Sequence, residues 1–144
     1  MSEHPLQGGS INIVVRVGDT VRRPPSGPFV HELLGFFERS SWDGAPRFLG
    51  LDERGREILS FDDGYVAWPP SRDGVTEEAS LVRVTELVRE FHDLTAGTPL
   101  AGDQEVVCHN DLAPYNTVYA RGGAGLRPGG LHRLGPGRSR PAYP

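Results

Sequence analysis

Asp111 and Asn116 stand five residues apart in Val106-Val107-Cys108-His109-Asn110-Asp111-Leu112-Ala113-Pro114-Tyr115-Asn116-Thr117-Val118-Tyr119, a stretch that reads as strand, polar turn, strand. Phosphoryl transfer needs a carboxylate to orient the attacking hydroxyl and accept its proton, and an oxygen ligand to hold Mg²⁺ against the nucleotide phosphates. Asp111 and Asn116 have those chemistries, and Pro114 stiffens the turn between them. The same residues have plainer readings. Asn and Asp favour turns by bonding their own backbone, so His109-Asn110-Asp111 also suits an ordinary polar turn. A metal site built on His109 and Asp111 would need a further His or Cys at ligand spacing, and the sequence offers none. Cys108 and His109 make a poor nucleophile pair, because adjacent strand residues project to opposite faces.

Several elements must position this turn. Ile13-Val14-Val15-Arg16-Val17 predicts a strand, Gly18-Asp19 a two-residue hairpin turn, and Thr20-Val21-Arg22-Arg23 the returning strand. Alternation puts Val21 and Arg23 on one face, turned to the cleft, and sends Arg22 to solvent. Pro24, Pro25 and Pro28 break the strand, and Val30, Leu33, Leu34 and Phe37 then recur at helical spacing. Residues 43–51 read as loop into strand, Asp52 to Gly55 as a turn, and 56–61 as a strand ending at Asp62-Asp63-Gly64. A helix is expected from near Thr76, whose hydroxyl suits a cap, with Glu77 and Glu78 at the positive end of its dipole. Leu81, Val84, Val88 and Phe91 form its expected core stripe, and Gly97 stops it.

The pattern His109-x-Asp111-x-x-x-x-Asn116, entered from a Val-rich strand, resembles the catalytic loop of the aminoglycoside phosphotransferase family. The phrases at residues 15–21, 44–50 and 54–60 are also similar to bacterial members, so the resemblance covers most of residues 8–120. It implies an α+β, protein-kinase-like fold: a small antiparallel β N-lobe with one helix, and the beginning of a helical C-lobe. It implies an ATP-dependent transfer of the γ-phosphate to a hydroxyl of a small molecule, with ATP and Mg²⁺ as cofactors. Asp111 and His109 would then be catalytic and Asn116 a Mg²⁺ ligand. Gly8, Gly9 and Ser10 would cover the phosphates. Arg23 would contact them and pair with Glu32 of the following helix, as a kinase lysine pairs with its glutamate. Ser60, Phe61 and Asp62 would form the hinge that bonds the adenine edge. Arginine differs from lysine here, its planar fork suiting a bidentate phosphate contact.

Composition bounds the remainder. The 144 residues fit one small domain or two small lobes, and the net charge of −4 with no basic, aromatic-interleaved patch argues against nucleic acid as a partner. One cysteine excludes an internal disulfide, and no apolar run suits a signal peptide or a membrane span, so a cytoplasmic location is expected. All fifteen basic residues are Arg, which points to a GC-rich genome and leaves no lysine for phosphate neutralisation. Residues 1–120 carry ten Arg against nineteen carboxylates, whereas residues 121–144 carry five Arg, seven Gly, four Pro and no carboxylate. The expected organisation is therefore an N-lobe at 1–64, a partial C-lobe with the catalytic loop at 65–120, and a disordered tail at 121–144.

Family members continue from the catalytic loop into an Asp-Phe-Asp or Asp-Trp-Asp segment whose first aspartate ligates Mg²⁺, and then into helices that build the acceptor site. Neither follows here. Leu131-His132-Arg133-Leu134 can be written CTT-CAT-CGA-CTC, which one base later reads Phe-Ile-Asp after a Gly, as members commonly place there. The expectation is a truncated chain whose reading frame slips between Ala120 and Gly130. Loss of one charge-stabilising group typically lowers kcat by ~10²–10³, so weak or absent turnover is expected. The alternative to an enzyme is a catalytically inactive nucleotide-binding or partner-binding remnant.

Overall fold

Gly18 and Asp19 make the turn that the alternation around them demands. In the computed structural model, which describes residues 2–6, 14–61, 65–66, 78–109, 117–122 and 125–131, Gly18 takes φ 61. The turn joins β2 (Val15–Val17) to β3 (Thr20–Arg23), with Val17 opposite Thr20 and Val15 opposite Arg22. A short β1 (His4–Pro5) lies along β2. On its other side β3 pairs with β5 (Glu57–Ser60), and β5 pairs with β4 (Phe48–Leu51), giving an antiparallel sheet in the order β1-β2-β3-β5-β4. The β4–β5 turn is closed by the Asp52 carboxylate, whose Oδ1 accepts from the backbone N–H groups of Arg54 and Arg56, each at 2.9 Å, while Gly55 supplies φ 73.

Helix α1 (Pro28–Arg39) begins with Pro at a first-turn position, where its missing N–H costs no helical bond. Its buried stripe is the expected Val30, Leu33, Leu34 and Phe37, which pack on Val21 and Leu59 of the sheet. Ser41, at φ 56, turns the chain out of the helix, and the Trp42 N–H bonds back to the Phe37 carbonyl at 3.0 Å. The indole then folds beneath Gly44, where an added Cβ would lie 2.2 Å from the ring.

Helix α2 (Glu78–Thr95) ends as expected, just before Gly97 at φ 70. Its buried face differs from the expected stripe. Ser80, Leu87, Phe91 and Thr95 are inside, whereas Leu81 is 55% exposed. The face is set by what lies against it, namely Phe37 and Trp42, whose rings meet Phe91, and this favours the Leu87–Phe91 side over the side carrying Leu81. Phe37 joins sheet, α1 and α2 into one core with Val107 and Ala101. Among the described residues, no helix is long and apolar enough to cross a membrane.

A second sheet has the order β6-β7-β8, from β6 (Tyr65–Val66), β7 (Thr117–Gly122) and β8 (Gly125–Leu131), all antiparallel. Of the segment expected as a disordered tail, residues 121–122 and 125–131 are described and fall in β7 and β8. Gly122 pairs with Gly125 at the end of the β7–β8 ladder. Residues 132–144 lie outside the described residues.

Candidate functional site

Arg23 and Glu57 face each other across the β3–β5 ladder, on the side of the sheet that carries Val21 and Leu59 and receives α1. The Arg23 Nε–H donates to Glu57 Oε1 in a buried ion pair, with Glu57 0% and Arg23 9% exposed. Burying a carboxylate is tolerable only when its lone pairs are filled, and here they are. The Ser26 backbone N–H donates to Oε2 at 3.0 Å, the Ser26 hydroxyl to Oε1 at 2.9 Å, and His31 Nε2 to Oε2 at 2.7 Å. Arg23 Nη2 also donates to Ser26 Oγ at 3.3 Å. Burial pushes the Glu57 carboxyl up, but the Arg23 charge and hydrogen bond, with those from Ser26 and His31, outweigh it and hold the group below its ordinary range. The His31 ring stacks on Phe48, centroids 3.9 Å apart and planes within 7°, so it joins α1 to both β4 and β5.

This arrangement corrects the expected pairing of Arg23 with Glu32. Glu32 is exposed on the outer side of α1, and the carboxylate that meets Arg23 comes from β5. The cross-strand register puts Glu57 directly opposite Arg23, closer than any residue reaching over from the helix. Arg22 points to the other face, with its Nε 3.7 Å from the Asp52 carboxylate.

Two of the expected hinge residues, Ser60 and Phe61, lie at the end of β5. The Ser60 N–H donates to the Arg47 carbonyl at 2.9 Å, and the Phe61 N–H to the Asp19 carbonyl at 3.0 Å. Both donors are engaged within the sheet and its turn. The Arg16 guanidinium caps the Phe61 ring, 3.8 Å from its centroid.

On the far side of the core, the C-terminal turn of α2 fixes the approach to the motif loop. Thr95 is fully buried; its Oγ1 donates to the Phe91 carbonyl at 3.1 Å and accepts from the Val107 N–H at 3.0 Å. Two residues on, His109 is 6% exposed, its ring edge-on to Phe91 with centroids 6.3 Å apart. His109, expected as catalytic, is thus a buried ring packed edge-on against Phe91. Asp111, Asn116, Gly8, Gly9, Ser10 and Asp62 lie outside the described residues. Asp111 and Asn116 carry the hard oxygen donors that Mg²⁺ prefers. Among the described residues, no group of three or more His, Cys, Asp or Glu could hold a metal ion.

Sequence reasoning missed Glu57, His31, Ser26 and Thr95. One signal was present: Glu57 and Leu59 alternate onto the same face, so a carboxylate stood in an apolar stripe and required a cationic partner. His31, Ser26 and Thr95 carry no comparable mark.

No protein-family model matches the chain. It is 34% identical to the trifolitoxin immunity protein of Rhizobium leguminosarum bv. trifolii, over 81% of this chain and 50% of that protein. It is 33% identical to an uncharacterized ABC transporter ATP-binding protein, y4fO, of Sinorhizobium fredii (strain NBRC 101917 / NGR234), over 83% of this chain and 33% of that one. The chain thus spans half the length of the first relative and a third of the second. Among solved structures it is similar to a choline/ethanolamine kinase family protein from Mesorhizobium loti, with TM-score 0.57 and 18% identity over 92% of this chain and 60% of that one. It is also similar to wild-type aminoglycoside 2'-phosphotransferase-IIIa in its GDP complex, with TM-score 0.53 and 16% identity over 95% of this chain and 67% of that one.

Proposed function

We propose that this chain, which has the protein-kinase-like fold shared with a choline/ethanolamine kinase family protein and an aminoglycoside phosphotransferase, is an ATP-dependent phosphotransferase acting on a hydroxyl of a small molecule. The fold bears out the resemblance read from the sequence, and one observation carries the functional reading. The His109-x-Asp111-x-x-x-x-Asn116 motif leaves directly from a segment that Thr95 and Phe91 anchor in the core, as a loop that must hold a reacting hydroxyl in place requires.

In this reading Asp111 orients the acceptor hydroxyl and takes its proton, and Asn116 would contribute an oxygen to Mg²⁺. When bound, the metal supplies charge neutralisation on the nucleotide phosphates. Arg23 contributes a guanidinium on the opposing sheet, and residues 8–10 cover the phosphates. Base recognition falls to the segment from Asp62 onward, since the Ser60 and Phe61 N–H groups are engaged elsewhere. The GDP complex of the aminoglycoside phosphotransferase supports a nucleotide as the bound ligand and makes GTP the donor to compare with ATP. A cytoplasmic location suits such a donor.

Titration of the chain with ATP and with GTP, each with and without Mg²⁺, tests the reading, together with phosphate release to a panel of aminoglycosides, choline and sugars. Mg²⁺-dependent nucleotide binding and transfer abolished by Asp111→Ala are the expected results. Tight Mg²⁺-independent binding with no transfer would instead establish a nucleotide-binding remnant, an outcome that the partial coverage of the relatives makes worth measuring.

A further inference from the structure

In the kinase arrangement an ion pair between the third strand and the following helix holds the phosphate-binding cation, so the helix controls the site. This chain is wired differently. The Arg23 carboxylate partner is Glu57 of β5, the strand hydrogen-bonded to β3, while the helix residue at the expected place, Glu32, faces outward. Glu57 is also over-determined, with four donors from Arg23, Ser26 and His31 on its two oxygens. Such a carboxylate has one available position, and the guanidinium clamped to it inherits that position.

Register supports a role toward a nucleotide. Thr20 pairs with Ser60 at the end of β5 that leads to the second sheet, and Arg23 pairs with Glu57 three positions along. At ~3.3 Å per residue the Arg23 backbone stands ~10 Å from that end along the strands, a separation comparable to that between a nucleobase and its phosphates.

We propose that Glu57 is the positioning residue of the nucleotide site: it fixes Arg23 for the phosphates of bound nucleotide, a task that Glu32 of α1 does not perform. The assignment rests on the phosphotransferase reading above. The carboxylate that meets the phosphate-binding cation thus comes from β5 and not from α1, and α1 contributes His31, which with Ser26 sets the Glu57 carboxylate.

The test compares affinity for Mg-ATP with affinity for adenosine, on the full chain, for wild type, Glu57→Gln, Glu57→Asp and Glu32→Gln, with melting curves to confirm folding. Glu57→Gln is expected to weaken ATP binding at least ~10-fold, the equivalent of ~1.4 kcal/mol, while adenosine binding changes less than about twofold by the same arithmetic. Glu57→Asp keeps the charge and withdraws it by one methylene; it covers the case in which Glu57→Gln does not fold, and should reproduce the selective loss of ATP affinity. Glu32→Gln should bind both ligands as wild type does. Equal weakening of ATP and adenosine by the Glu57 variants would overturn the proposal in favour of a purely structural pair, as would a loss in Glu32→Gln matching theirs. A wild-type chain that binds neither Mg-ATP nor adenosine overturns the phosphotransferase reading itself. Unchanged ATP affinity in folded Glu57 variants overturns only the positioning role.

Discussion

The indole N–H of Trp42 donates to the Glu90 carboxylate at 2.8 Å, so the loop that follows α1 is tied to the middle of α2. The same ring meets Phe37 edge-on at 4.6 Å, and Arg83 steadies Glu90 from the other side at 2.9 Å. Hydrogen bond and aromatic contacts together seat the first lobe on the helix that leads to the motif loop.

Trp42→Phe removes the donor and keeps a ring. Glu90 is partly exposed, so water recovers much of the loss, and a destabilisation of ~1 kcal/mol is expected. The Trp42 hydrogen bond is the main cause holding the Glu90 carboxyl below its ordinary range, with burial opposing it and Arg83 assisting. In the variant, carboxyl NMR titration should find Glu90 moved upward. A double-mutant cycle with Glu90→Gln measures the coupling.

Glu57 makes stability acid-sensitive. Its carboxyl ionises below its ordinary value of 4.5 in the folded chain, so the folded state binds fewer protons than the unfolded state as pH falls. Its contribution is fully present above that ordinary value and is lost as pH drops through the lower folded-state value. Urea midpoints measured from neutral pH downward should fall along this limb in the wild type, and Glu57→Gln should flatten it. At neutral pH the same substitution deprives a buried arginine of its carboxylate, a change costing about 3–5 kcal/mol.

Thr95→Val replaces a buried hydroxyl by a methyl of similar size. The Val107 N–H then has no oxygen at the position Thr95 fills, a loss of ~1–3 kcal/mol for a buried donor. Hydrogen exchange should reveal faster opening at Val107, with α1 protected as before. Equal protection at Val107 in variant and wild type would show that the hydroxyl does not anchor this segment.

Local chemistry made the fold of the N-lobe readable. Gly18-Asp19 marked its turn through a backbone preference, and Val30, Leu33, Leu34 and Phe37 marked α1 through one period. Alternation along Thr20 to Arg23 put Val21 and Arg23 on one face, and both are buried, whereas Arg22, expected in solvent, is half-buried beside Asp52. What it could not supply was the partner. The choice between Glu32 and Glu57 depends on β3 lying beside β5, a pairing of strands 34 residues apart for which a single sequence carries no local mark. The exposed Leu81 failed for the same reason, since periodicity gives a helix an apolar stripe but not the neighbour that selects its covered half. Asp111 and Asn116 were legible as chemistry and stand as the proposal's reacting groups.

His31 lies flat on Phe48 while its Nε2 reaches Glu57, so one side chain of α1 is gripped by two strands at once. An outward swing of the helix would have to unstack a ring pair and strip a donor from a sequestered carboxylate in the same motion. Displacing α1 therefore carries a double cost, incurred at β4 and at β5 together.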